Sequence, residues 1–451
     1  MRVKTICVSK LFGIFNHKIP LNMEERITII HGPNGFGKTI MLKMIEAIFD
    51  KNYKRLKDIP FSEFFLDFDD NSQLILRKNS SHINDDSTED ITATGRNSEE
   101  KLILEYKRPN LESESYEVKG IRFDPRMPLS IIQHEIPFLS RVGPKEWRDV
   151  RSNEILNLED VIGRYSDRLH LPARYLKDRS EPLWLDEIRS SIKVYFIDTQ
   201  RLYSADMDYD DSGTLQLAVS AYSKELASTI QFNLAKYAET SQSLDRTFPL
   251  RLVKTTESTS ISTEDLLRKL NDLEKKRSDL EITGLLDKKP ELDFKELFEK
   301  IDDSNKNVLS VYIKDVGDKL KVLDEISTKI DLFRRIINER FLYKKMHIDK
   351  KDGFVFKTKT GDAVSPSQLS SGEQHELVML FELLFKVGSN SLILIDEPEL
   401  SLHIIWQRQF LRDLQEIAKL TEYDVLIATH SPQIIHDRYD LAIELTGPED
   451  A

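Results

Sequence analysis

The chain has 451 residues, a formal net charge of −12 and a pI near 5.5. Its 39% hydrophobic and 31% charged content suits a soluble globular protein of two or three domains. No apolar run reaches the roughly 18 residues that a spanning helix needs. The acidic balance counts against a constitutive nucleic-acid binder, which usually carries a basic surface.

The start, Met1-Arg2-Val3-Lys4-Thr5-Ile6-Cys7-Val8, alternates like a strand and lacks the apolar core of a signal peptide. Cys7 is the single cysteine, so no internal disulfide can form and a cytoplasmic location is expected. On a first strand it reads as a small buried apolar side chain. Residues 2–9 and 26–31 read as strands. Thr28-Ile29-Ile30-His31 leads into Gly32-Pro33-Asn34-Gly35-Phe36-Gly37-Lys38-Thr39, which fits the pattern G-x-x-x-x-G-K-[ST]. Lys38 to Phe49 reads as the following helix, with Met41, Leu42, Ile45 and Ile48 at helical spacing.

Residues 63–68, 73–78 and 101–107 read as antiparallel strands, with a mobile polar loop from Asn79 to Glu100. Residues 130–190 read as mostly helical with several breaks. Positive charge gathers there, in Arg164, Arg168, His170, Arg174, Lys177 and Arg179. Asp167 and Asp178 are interleaved with it, so a solvated face is the ordinary reading, with a partner or nucleic-acid surface as the alternative. Lys193 to Gln200 returns as a strand ending in a glutamine.

Ser262-Thr263-Glu264-Asp265 looks like a helix N-cap box, followed by an apolar stripe of Leu266, Leu270, Leu273 and Leu280. A second long helix carries Ile313, Val316, Leu320, Leu323, Ile330, Phe333 and Ile337. With the Gly284 to Pro290 stretch between them, the pair predicts a short antiparallel helical arm, too short for a rod. A hairpin follows, Lys345–Ile348 and Phe354–Lys357, turning at Asp352-Gly353. Then comes Leu369-Ser370-Ser371-Gly372-Glu373, opening a helix that runs to Val387 and stops at Gly388. Two apolar strands close the pattern. Leu392 to Ile395 ends in Asp396-Glu397, and Leu426 to Thr429 ends at His430. One further strand fits around Leu441 to Leu445, and no internal repeats are evident.

These motifs specify a nucleotide site. The glycines of residues 32–37 let backbone N–H groups turn inward around phosphates, and the helix start adds its dipole. Lys38 would bridge the β- and γ-phosphates of ATP, and Thr39 would ligate Mg²⁺. Asp396 would hold the same metal, and Glu397 would orient and deprotonate the attacking water. Ser370, Ser371 and Gly372, with Glu373, form a second anion-binding helix start, which makes sense if it closes on ATP from a neighbouring subunit. A neutral His430 could hydrogen-bond the γ-phosphate or the water. Gln200 could touch the metal or the water, with Arg201 in reserve.

The set resembles the Walker A loop, signature, Walker B strand and switch histidine of ABC-class ATPases, with Gln200 at the Q-loop position. It implies an α/β P-loop fold of ABC type, a mixed sheet core with an antiparallel lobe and a helical insert. Residues 1–202 and 345–451 are expected as the two ATPase lobes, and 203–344 as the arm. The large insert resembles the recombination and structural-maintenance branch, most of all the ATPase half of overcoming-lysogenization-defect (OLD) nucleases. Asp396 to His403 and Ala428 to Ile435 carry that closer likeness; by the same analogy Ser401 to His403 face the dimer partner. The likeness covers about 1–50, 190–202 and 365–445, and is architectural between them. Those nucleases carry a C-terminal Toprim domain, for which about 20 residues past His430 leave no room. The expectation is therefore an ATPase subunit like those of the PARIS and Septu anti-phage systems. It would form an ATP-linked homodimer that controls a separate effector such as a nuclease. A DNA-repair or DNA-clamping ATPase of SMC or RecF type is the alternative. The spacing disfavours a transporter ATPase.

Overall fold

The structure, a computed structural model, describes residues 1–79, 101–118, 122–123, 129–136, 138–150, 154–165, 176–177, 181–198, 218–254, 262–288, 303–400 and 402–447. The chain divides into two compact units, residues 1–207 with 386–451, and residues 208–385.

The first unit opens with β1 (Val3–Leu11), β2 (Phe15–Pro20), β3 (Ile27–His31), α1 (Lys38–Phe49) and α2 (Tyr53–Asp58). Next come β4 (Glu63–Phe68), β5 (Gln73–Asn79), β6 (Lys101–Lys107) and β7 (Glu114–Glu117). They join β1 and β2 in a six-stranded antiparallel sheet ordered β2-β1-β4-β5-β6-β7. Alternation explains its inner face: Phe64, Leu66 and Phe68 of β4 are buried in one core with Met41, Leu42, Ile45 and Ile48 of α1. Apart from Asn79, which ends β5, the expected 79–100 loop lies outside the described residues.

The expectation of a mostly helical 130–190 stretch is corrected. After β8 (Arg122–Phe123) and α3 (Ser130–Glu135), the strands β9 (Leu139–Gly143), β10 (Glu146–Asp149) and β11 (Glu154–Asn157) form an antiparallel sheet. With α4 (Leu158–Tyr165) it closes its own small core around Phe138, Trp147, Leu156, Val161 and Ile162. Each strand supplies only one or two inward apolar residues, too few for a visible period of two. β12 (Leu176–Lys177) pairs with β8, and α5 (Leu183–Ser191) leads into β13 (Lys193–Asp198). Of the basic group, Arg164 forms a bidentate pair with Glu154 at 2.9 Å from each nitrogen. Arg168, His170, Arg174 and Arg179 lie outside the described residues.

The second unit contains α6 (Ala218–Lys254), α7 (Thr263–Ile282), α8 (Asp303–Lys321) and α9 (Asp324–Arg340). The hairpin β14 (Lys344–Asp349) and β15 (Gly353–Thr358), a short β16 (Ala363–Val364) and α10 (Ser371–Phe381) follow. Two expectations about the arm change. The second long helix is broken at Val322-Leu323 into α8 and α9, where Lys319 and Lys321 suit a helix end and Asp324 and Glu325 a helix start. The outgoing helix of the arm is α6. Its Ser223 hydroxyl bonds the hairpin carbonyls of Asp352 (2.6 Å) and Phe354 (3.0 Å), while Gly284, just past α7, packs on the Ile348 carbonyl. So α6 leaves the hairpin and α7 returns to it. Pairs Asp245–Lys319 and Arg251–Asp315 show that α8 also runs opposite to α6. Ser262 caps α7 as expected, accepting from the Asp265 N–H. α10 continues directly into a π-helical turn over Glu382–Lys386, so the helical stretch stops one residue short of the expected Val387.

Back in the first unit, β17 (Ser391–Asp396), α11 (Ile404–Thr421), β18 (Asp424–Thr429), α12 (Pro432–Ile435) and β19 (Ala442–Glu444) complete the chain. Their strands join β13 and β3 in a parallel sheet ordered β13-β17-β18-β3-β19. The Leu and Ile runs of β17 and β18 are buried, as a parallel sheet with covered faces requires. Register sets Asp198 beside Asp396, Asp396 beside Ala428, and Thr429 beside His31. The carboxyl ends of four strands therefore meet along one edge, where ligands of such sheets bind. No described helix is long and apolar enough to cross a membrane.

Candidate functional site

The loop after β3 is shaped by two glycines. Gly32 has φ +148, and a Cβ on it would come 3.1 Å from the Leu445 carbonyl oxygen. Gly37 is the N-cap of α1 in the left-handed region (φ 87, ψ 12), and a Cβ there would collide with the Leu11 side chain. Without a capping side chain, the first-turn N–H groups of α1 stay available to an anion. The loop is braced by His17, whose Nε2 lies 2.9 Å from the Phe36 carbonyl and donates to it. Burial pulls the pKa of His17 down, against that hydrogen bond.

Lys38 is 4% exposed. Its ammonium donates to the carbonyls of Gly32 (2.7 Å) and Pro33 (2.9 Å) and lies 3.3 Å from His430 Nδ1. All three of its N–H donors are thus engaged. Burial lowers its pKa, while Glu397, Asp396 and Glu399 work in the opposite direction. The Thr39 hydroxyl donates to Asp396 Oδ1 at 2.9 Å.

Glu397 follows the sheet edge in a left-handed conformation, φ 47, held by its N–H bond to the Ala428 carbonyl at 2.8 Å. Such a non-glycine residue stores roughly 1–3 kcal/mol of backbone strain, a feature that clusters at active sites. Its Oε1 lies 3.6 Å from His430 Nε2. One ring tautomer suits both neighbours, with Nδ1 accepting from Lys38 and Nε2–H pointing at Glu397. Lys38, Thr39, Asp396, Glu397 and His430 thus belong to one network, although up to 392 positions separate them.

Thr39 and Asp396 offer hard oxygen donors, and they fit Mg²⁺, which takes one or two protein oxygens and otherwise keeps water and phosphate. Among the described residues no group of three or more His, Cys, Asp or Glu could hold a metal by itself.

Gln200, Arg201 and Ser401 lie outside the described residues. Ser370, Ser371, Gly372 and Glu373 lie in the second unit. There the Ser370 side chain accepts from the Glu373 N–H, and Glu373 Oε2 accepts from the Ser370 N–H at 2.8 Å, a full capping box. Lys344 holds the same carboxylate at 2.7 Å. Burial alone would raise the pKa of Glu373; Lys344 and Ser370 together keep it low. A Cβ on Gly372 would meet nothing within 4 Å, so this first turn faces open space. Two contributors escaped the sequence reading, His17 and Glu399. Glu399 accepts hydrogen bonds from Thr429, His430 and Ser431. Neither spacing is a recognised pattern, because each partner belongs to another element.

Comparison with known proteins gives three kinds of match. The family model of the AAA ATPase domain (AAA_15) matches residues 1–435. Protein ea59 of Escherichia phage lambda is 37% identical over 70 residues, 16% of this chain and 13% of ea59, so the chain covers only a small part of that relative. The SMC head domain from Thermotoga maritima aligns at 12% identity and a TM-score of 0.34, covering 99% of this chain and 97% of its own. A Pyrococcus furiosus Smc head domain with an extended coiled coil, bound to the C-terminal domain of ScpA, aligns at 11% identity and 0.31, covering 99% and 94%. With a family match over nearly its whole length, the chain belongs to the AAA ATPase domain family and is an ATPase with an α/β P-loop fold of the ABC type.

Proposed function

We propose that the chain binds ATP at residues 32–39, hydrolyses it in a site completed by a second copy, and so switches a separate effector protein. The observation that carries this reading is the convergence of Lys38, Thr39, Asp396, Glu397 and His430 at the carboxyl edge of the parallel sheet. The loop N–H groups and the start of α1 take the phosphates. Lys38 exchanges the Gly32 and Pro33 carbonyls for β- and γ-phosphate oxygens. Magnesium, held through Thr39 and Asp396, supplies charge neutralisation at the phosphates when bound. Glu397 accepts a proton as water attacks the γ-phosphorus and the bond to the ADP oxygen breaks. His430, fixed between Lys38 and Glu397, turns its Nε2–H toward the transferred phosphoryl group. The open first turn of α10, with Ser370, Ser371, Gly372 and Glu373, acts as the second cradle, offered to the other copy's γ-phosphate. Gln200 joins the metal or the water in the same reading. Residues 1–202 and 345–451 then act as ATPase lobes and 203–344 as the arm.

The effector role is supported by the resemblance of residues 396–403 and 428–435 to OLD-type ATPases. The net charge of −12 supports a protein partner over a DNA clamp. Glu397→Gln keeps the shape but cannot take the proton. It should bind Mg-ATP normally, lose about 100- to 1,000-fold in hydrolysis, and double its mass by light scattering when ATP is added. Wild-type turnover, or no gain in mass with ATP, would sink the reading. Affinity capture of Glu397→Gln from its native cells, followed by mass spectrometry, should return one effector in a fixed ratio.

A further inference from the structure

We infer that Glu399 is a positioning residue for His430; the inference rests on the role given to His430 above. Glu399 lies two residues past Glu397, in the short turn Pro398–Leu400. Its carboxylate engages one three-residue turn at the end of the neighbouring strand. Oε2 accepts from the Thr429 hydroxyl at 2.8 Å. Oε1 accepts from the backbone N–H groups of His430 (2.7 Å) and Ser431 (3.1 Å). These bonds are charge-assisted and occupy both oxygens, so the turn has little freedom to rotate.

A second strap runs beside the first. Gln407 of α11 donates from its amide nitrogen to the carbonyls of Glu399 and Leu402, each at 3.1 Å. Its amide oxygen accepts from the Ser431 hydroxyl at 3.1 Å. The ring is closed: Glu399 carboxylate to residues 429–431, to Gln407, and back to the Glu399 backbone. Thr429 is fully buried at the end of β18, so the His430 ring leaves the sheet from a fixed base.

Satisfying two N–H groups does not by itself call for a carboxylate here, since water serves exposed strand ends. What the placement secures is the imidazole, with Nδ1 3.3 Å from Lys38 and Nε2 3.6 Å from Glu397. A displacement of about 1 Å would break the first contact and misdirect the second.

The test measures steady-state ATP hydrolysis and calorimetric ATP binding for Glu399→Ala, Glu399→Gln, His430→Ala and the Glu399→Ala/His430→Ala double variant. Glu399→Ala should lose about 10- to 100-fold in kcat, with KM and ATP affinity within about threefold of wild type. Glu399→Gln should recover most of the rate, because its carbonyl can take both N–H groups while its NH2 meets the Thr429 hydroxyl. The double variant should be no slower than His430→Ala, as expected when one residue acts through the other. If Glu399→Ala turns over within about twofold of wild type, or slows His430→Ala by a further factor of about ten, the inference is overturned while the ATP site stands. Wild-type turnover by His430→Ala overturns the role of His430 and the inference together. If Glu399→Ala fails to fold by circular dichroism, Thr429→Val removes one of the three bonds and faces the same criteria.

Discussion

Lys38 engages all three of its donors within the loop and with His430. Replacing it by Met keeps the length and removes the charge. Lys38→Met should lower ATP affinity by about 100-fold or more, read by calorimetry; affinity like that of wild type would place the nucleotide elsewhere. His17 offers a test through pH. Burial holds its pKa below the ordinary 6.5 in the folded chain. On falling below about pH 6.5 the unfolded ring takes a proton that the folded ring does not. Stability is therefore intact above that pH and declines as pH falls toward the lowered folded value. His17→Gln keeps an N–H for the Phe36 carbonyl and should flatten this part of the curve. Urea midpoints measured from about pH 8 to pH 5 that fall in parallel for both proteins would refute it. At this scale the phosphate loop, Asp396, Glu397 and His430 were legible, because each ends a short apolar strand. His17 and Glu399 were not: an isolated histidine on a strand and one more acid in an acidic chain look ordinary until their partners are in view.

Among elements, α1 matches its sequence limits, Lys38 to Phe49, since loop glycine, lysine and apolar stripe all agree on one helix. Its far end is held by α5. Arg189 donates to the Ile48 carbonyl from two nitrogens (3.0 and 2.9 Å), to Glu181 at 2.6 Å and to the Tyr53 hydroxyl at 2.7 Å. Both charged side chains are at most 10% exposed, so the pair is dehydrated. Arg189→Met leaves Glu181 short of its main partner and should cost about 3 kcal/mol in urea unfolding. Adding Glu181→Gln should restore part of that loss, and a single-variant effect below about 1 kcal/mol would mean the network is not stabilising. The small sheet β9–β11 escaped the sequence because four- and five-residue strands leave no readable period. The α8–α9 break carried a signal, basic residues and then acidic ones, that the longer apolar stripe obscured.

For the whole molecule, the shared-site reading makes a complementation prediction. Ser371→Arg places a bulky cation at the open start of α10, and Lys38→Ala removes the loop lysine; each alone should be inactive. In a mixed dimer one composite site has both parts intact, and the other carries both defects. ATPase activity should return on mixing to roughly a quarter of wild type, as random pairing of the two copies implies. No recovery at any ratio, with heterodimers shown by native mass spectrometry, would count against a shared site. The order of motifs along the chain determined by itself that a phosphate loop, a carboxylate pair and a histidine exist, each on a strand end, because those signals are local. Only the tertiary structure decided that β17, β18 and β3 are neighbours, which brings Thr39 to Asp396 and Lys38 to His430. It also decided that α6 rather than α8 runs opposite to α7. The physical reason is the same in both cases. Pairing between strands and packing between helices depend on which surfaces exclude water together, and periodicity within one element does not record its partner.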